Sequence, residues 1–135
     1  MIVLDTSLLS VAYRRPRRTE SLPRSVQRFR DLIADDAPMA IPGVVLQELL
    51  SGLKTLEGFR RVEDILSGFP LLLARRETHV EGARIRTRCR AKGIVASTVD
   101  CLIAAHAIEA GGELFTLDED FTAIARHCGL KLFRS

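Results

Sequence analysis

The sequence predicts an α/β fold with three layers, α/β/α, built around a five-stranded and mostly parallel sheet. Three observations carry that expectation. Short apolar runs of strand length alternate with longer segments whose apolar residues recur at helical spacing. Glycines and prolines punctuate the junctions. The 135 residues fit one domain, 1–135, with no internal linker and no repeat. Such alternation puts parallel strands at the centre and helices on both faces.

Each element has its own local reason. Met1–Leu4 is apolar and partly β-branched, so it reads as a buried strand. Asp5, Thr6 and Ser7 are capping residues, and a helix begins through Leu8, Leu9, Val11 and Ala12. Arg14 to Pro23 is polar, holds two prolines and reads as a loop. Ser25–Asp35 carries Val26, Phe29, Leu32 and Ile33 at helical spacing. Pro38–Ile41 is a second strand, broken by Pro42-Gly43. Val44–Leu53 and Leu56–Leu66 are helical, the latter ending at Gly68. Phe69–Leu73 is strand three. Glu77–Lys92 is a long basic helix stopped by Gly93. Ser97 or Thr98 caps the next helix, with Leu102, Ile103, Ala105 and Ala107 turned inward and Gly111-Gly112 as its stop. Glu113–Leu117 is strand four, Asp118–Arg126 a short helix, and Leu130–Phe133 strand five.

Composition excludes several classes. At 47% hydrophobic and 27% charged residues the chain is that of an ordinary globular domain rather than a disordered one. The longest apolar run, Phe69–Ala74, is far short of the ~20 residues a membrane span needs. The first residues lack a basic stretch and Asp5 interrupts them, so no signal peptide is expected. Cys89, Cys101 and Cys128 have no metal-binding spacing and read as free thiols of a cytoplasmic protein. The net charge is +3, but its distribution is uneven. Arg14, Arg15, Arg17, Arg18, Arg24, Arg28 and Arg30 face one acid, Glu20, across the first run. Arg84, Arg86, Arg88, Arg90 and Lys92 form a second run without acids. Each run alone is readily a solvated face. Two in one small domain favour a polyanionic partner, because the guanidinium fork suits phosphate.

In an open α/β sheet, ligands bind beyond the carboxyl ends of the strands. Asp5 follows strand one and Asp118 follows strand four, with Asp120 two residues on. Asp100 sits in the first turn of the helix that leads into strand four, so it begins at the same end. Glu48 lies roughly 8 Å along the helix after strand two, at 1.5 Å per residue. Singly, each has a structural use: Asp5 and Asp118 as helix caps, Asp100 in a capping box with Ser97, and Glu48 as an exposed helix residue. Together they put several carboxylates at one sheet end, where a hard cation such as Mg²⁺ or Mn²⁺ offsets their repulsion.

These segments resemble the PIN domains, specifically the VapC-type toxin ribonucleases of type II toxin–antitoxin systems. The matching pieces are Ile2-Val3-Leu4-Asp5-Thr6-Ser7, Gln47-Glu48-Leu49-Leu50-Ser51-Gly52, Val99-Asp100-Cys101-Leu102-Ile103-Ala104-Ala105-His106-Ala107 and Leu114-Phe115-Thr116-Leu117-Asp118-Glu119-Asp120-Phe121. They span almost the whole chain in the family's order. The resemblance implies that Asp5, Glu48 and Asp100 are the core acidic triad and Asp118 the variable fourth acid, with the choice between Asp118 and Asp120 open. Thr6 or Ser7, and Thr116, match supporting hydroxyls. It implies Mg²⁺, with Mn²⁺ as the alternative, held by Asp5, Asp100 and Asp118. Glu48 is a further ligand or the holder of the attacking water. The implied reaction is endonucleolytic hydrolysis of a tRNA, rRNA or mRNA phosphodiester, leaving 5′-phosphate and 3′-hydroxyl ends. The implied partners are a VapB-type antitoxin and a second copy of the chain.

Arg84, Arg86, Arg88 and Arg90 are candidate RNA-backbone contacts, with Arg84/Arg88 and Arg86/Arg90 each at i, i+4. An acidic antitoxin segment is the other use for such arginines. His79, His106 and His127 read as lone helical histidines without a catalytic pairing. A haloacid-dehalogenase-type phosphotransferase needs an Asp where Ser7 stands, and a receiver domain needs an acidic pair where Asp5 is alone. The remaining rivals are a binding module on the same fold, in which the acids are dispensable, and a PIN nuclease of RNA maturation without an antitoxin.

Overall fold

The computed structural model describes residues 1–13 and 22–134. Within them the elements are β1 (Ile2–Leu4), α1 (Thr6–Tyr13), α2 (Arg24–Ala34), β2 (Met39–Pro42), α3 (Gly43–Ser51), α4 (Leu56–Leu66), β3 (Leu71–Leu72), α5 (Arg76–Ala91), α6 (Thr98–Glu109), β4 (Glu113–Phe115), α7 (Asp120–Ala125) and β5 (Lys131–Leu132).

The five strands lie in the order β3-β2-β1-β4-β5. Every pairing is parallel, so the sheet is wholly rather than mostly parallel. Register places Val3 beside Ala40 and Leu114, and Leu4 beside Phe115. Val3, Leu4, Ala40 and Leu114 have no exposed surface, as a strand covered on both faces requires.

The chain moves from β1 outward to β2 and β3, then returns across the sheet to β4 and β5. Right-handed crossovers in opposite directions put helices on opposite faces. Accordingly α1 packs on α2 and α3, and α3 on α4, while α6 packs on α5 and α7. The reversal falls between β1 and β4, and the carboxyl ends of these two strands form the crevice where such folds bind ligands. Phe29 and Phe121, fully buried, anchor helices α2 and α7 to the core.

Two helices lie between β1 and β2, as the two helical segments in the sequence predict. Several expected boundaries move. Pro42 does not break β2 but ends it, pairing with Leu72, because its missing N–H falls where the strand gives way to α3. Strand four ends at Phe115, so Thr116–Glu119 form an irregular connection and α7 starts at Asp120 instead of Asp118. Residues 14–21, most of the expected arginine-rich loop, lie outside the described residues. Leu102 is half-buried, and His127 follows α7 rather than lying on it.

The α6 stop forms as expected. Gly111 takes φ +65°, its N–H reaches Ile108 O and the Gly112 N–H reaches Ala107 O, the paired bonds of a Schellman motif. A Cβ on Gly112 would stand 2.4 Å from the Met1 carbonyl oxygen, so only glycine lets α6 turn directly into β4 beside β1.

Candidate active site

Asp5 is the first residue past β1, and its N–H still bonds Phe115 O of β4 at 3.1 Å. The ladder therefore fixes its backbone at the crevice. Its side chain is buried, with 4% of the residue exposed, and needs partners there. Ser7 Oγ and Thr116 Oγ1 each donate to Asp5 Oδ2 at 2.7 Å. Both hydroxyls then accept from the β4–α7 connection: Ser7 from the Leu117 N–H at 2.9 Å and Thr116 from the Asp118 N–H at 3.0 Å. With each hydroxyl proton committed to Asp5, the 3.2 Å separation of the two oxygens is a packing contact. One carboxylate thus ties the end of β1 to the segment that carries Asp118.

Asp118 Oδ1 accepts from the Asp120 N–H at 2.9 Å, folding the two acids toward each other. Asp100 enters from α6, where Ser97 Oγ caps the helix by accepting the Asp100 N–H at 3.0 Å. Carboxylate oxygens of Asp100, Asp118 and Asp120 lie within 4.8 Å of one another. Burial first, and then the charges of Asp118, Asp5 and Asp120, push the Asp100 carboxyl up to about 6, against the opposing hydrogen bond at Ser97. Among the described residues no basic side chain pairs with these acids.

Glu48 stands apart from that trio. It is exposed on α3, and Thr6 Oγ1 donates to its Oε1 at 2.9 Å. The two hydroxyls after Asp5 therefore divide: Ser7 serves Asp5 and Thr6 serves Glu48. Asp118 and Asp120 both meet Asp100.

The structure brings no histidine into this group. His106 is buried on α6, and burial lowers its pKa. Cys101, next to Asp100, is buried, and burial pushes its thiol up to about 11, far from a reactive thiolate. The four α5 arginines split into two kinds. Arg84 and Arg88 pair with Glu81 at 3.5 and 3.7 Å, whereas Arg86 Nε donates to Ala96 O at 3.0 Å and Arg90 has no acid partner among the described residues. Glu81, three and seven residues before its partners, was the sequence signal for that split.

The PIN domain family model matches residues 2–127, and the chain belongs to the PIN-domain family. Within it the likeness is to VapC ribonucleases. The chain is 32% identical over 133 residues to a VapC ribonuclease of Mycobacterium bovis and to ribonuclease VapC11 of Mycobacterium tuberculosis, covering 97% of this chain and 96% of each relative. The VapBC2 structure of Rickettsia felis, bound to a promoter DNA fragment, superposes with a TM-score of 0.77 at 28% identity, covering 98% of both chains. FitAcB of Neisseria gonorrhoeae shares the fold, with a TM-score of 0.76 at 21% identity over 99% of this chain and 97% of its own.

Proposed function

We propose that this chain is a divalent-metal-dependent endoribonuclease and the toxin of a VapBC-type toxin–antitoxin pair. The observation that carries the reading is the meeting of Asp100, Asp118 and Asp120 beside the hydroxyl-held Asp5, at the switch point of the sheet. A set of carboxylate oxygens without a nearby base suits a hard cation, Mg²⁺ or Mn²⁺, and the raised Asp100 carboxyl shows how little favours three bare charges there. Asp100 and Asp118 would hold the ion, with Asp120 and Asp5 completing the set. When bound, the ion supplies Lewis-acid polarisation of the phosphate and a water of lowered pKa.

The chain's own residues supply position. Ser7 and Thr116 lock the Asp5 carboxylate, and the same two hydroxyls fix the backbone of Leu117 and Asp118. Ser97 sets the start of α6 and so the height of Asp100 above the crevice. Glu48, held by Thr6 outside the trio, is left to hold the attacking water. The likeness to VapC ribonucleases and to the Rickettsia felis VapBC2 complex supports RNA as substrate and a VapB-type antitoxin as partner. By the same reading the toxin works as a homodimer in the cytoplasm.

Purified protein incubated with a tRNA and rRNA pool tests this. Cleavage is expected with Mg²⁺ or Mn²⁺, absent with EDTA, and reduced in Asp5→Asn by more than roughly 100-fold, beyond what changes outside the ligand set cost. Equal cleavage by both proteins would remove Asp5 from the site.

A further inference from the structure

A second charged feature lies across α6 from the acids. Between α5 and the first turns of α6 is a cavity of about 270 Å³, lined by His79, Arg86 and Arg90 from α5 and by Thr98 and Leu102 from α6. Among the described residues no carboxylate lines it. We infer that this cavity seats a backbone phosphate of the RNA, holding the strand so that a neighbouring phosphodiester reaches Asp100. The inference rests on the ribonuclease reading above.

Close packing creates the cavity. Gly82 is buried where α5 meets α6, and a Cβ there would stand 3.4 Å from Leu102 Cα and 3.5 Å from Cys101 O. The helices approach closely at that point, and Gly82 itself lines the groove beside it. Its volume sits just below the ~300 Å³ at which small-ligand pockets begin, enough for one nucleotide unit and not for a folded partner element.

Charge selects the ligand. Like charges at i, i+4 on a helix repel, by about 0.2–0.5 kcal/mol per pair. The Arg84/Arg88 row is relieved by Glu81, within 3.5 and 3.7 Å of its two guanidinium groups. The Arg86/Arg90 row has no such acid among the described residues, yet both its members line the cavity. Arg86 is also pre-set: its Nε is anchored on Ala96 O at 3.0 Å, which leaves the two Nη groups for an anion. Thr98 adds a hydroxyl from the first turn of α6, the same turn that carries Asp100. Thr98 and Leu102 each lie two residues from Asp100, about 200° round the helix, so the cavity and the acids take opposite faces of one helix end.

The test measures affinity for an oligouridine of roughly 16 nucleotides as salt is raised, in an Asp100→Asn background with EDTA, so that nothing is cut. Each phosphate contact adds about 0.7 to the slope of log affinity against log salt for a single strand. Arg86→Gln/Arg90→Gln, which removes both arginines from the one phosphate, is expected to lower that slope by about 0.7, and Arg90→Gln alone, which keeps the Arg86 anchor, by less. Lys54→Gln/Arg60→Gln removes two charges elsewhere and is expected to leave the slope unchanged. With the acids restored and metal present, the arginine pair should raise KM for RNA more than it lowers kcat. An unchanged slope in Arg86→Gln/Arg90→Gln, an equal drop in the control, or a change of oligomeric state in place of the slope would overturn the inference. Normal slope effects in a protein that never cleaves RNA would instead sink the nuclease reading and leave the phosphate seat standing.

Discussion

Asp100 shows what an acidic group in a crowded crevice does to the protein that carries it. Its carboxyl rises from 3.8 to about 6 on folding. Between those pH values the folded chain binds more protons than the unfolded one, so stability falls as pH rises through the window and stays at the lower level above it. In EDTA, Asp100→Asn is therefore expected to be more stable than wild type at pH 7, by on the order of 1 kcal/mol, since a half-buried group is partly screened. The difference should close near pH 4. Denaturant titrations at pH 4.5, 5.5 and 7 measure it, and a constant gap would assign the shift elsewhere. Asp5 predicts the opposite kind of result. Its Oδ2 depends on two hydroxyls, so Ser7→Ala leaves a buried carboxylate short of a partner, at a cost of about 1–3 kcal/mol. Activity should fall by roughly 10–100-fold. The acids were readable in the sequence because Asp5 ends an apolar run and Asp100 opens an apolar helix. The grouping of Asp118 with Asp120 was not, because Leu114–Leu117 looks like one strand while Thr116 has already left the sheet to reach Asp5.

Helix ends carry the next set of consequences. α4 starts at Thr55, whose Oγ1 accepts the Gly58 N–H at 3.0 Å. Thr55→Ala is expected to cost about 1 kcal/mol in urea unfolding. α2 ends differently. Asp36 takes φ +55°, the conformation that Gly93 and Gly111 provide where α5 and α6 stop. Asp36→Gly relieves that strain and adds some unfolded-state entropy, and a net gain of about 0.5 kcal/mol is expected. A loss would mean that the Asp36 side chain holds something the backbone does not show. The helix Leu56–Leu66 was legible to the residue, and α2 and α5 to within one residue at each end, since apolar spacing marks them. The strands were legible in place and short in fact: β3 and β5 are two residues each, because a pairing needs register as well as apolar content.

At the scale of the molecule, sequence alternation announced a parallel sheet but not its order. The order β3-β2-β1-β4-β5 decides that β1 and β4 are neighbours and so that Asp5 and Asp118 share a crevice. If the trio holds a metal, folding and metal binding are linked. Mg²⁺ at about 100 times its dissociation constant is expected to add roughly 2.7 kcal/mol, near 8 °C in melting temperature for a domain of this length. Asp100→Asn should abolish that rise, and a rise that survives the substitution would place the ion elsewhere.

The Thr116 hydroxyl that holds Asp5 comes from 111 residues further along the chain. A ribosome making 5–20 residues each second finishes that interval in roughly 6 to 20 s. Until then the growing chain owns β1 and its aspartate but neither β4 nor the hydroxyl that aligns them. The same holds for any product cut short before Thr116. A chain built this way cannot assemble the hydrogen bonds that hold Asp5 before Thr116 has been made.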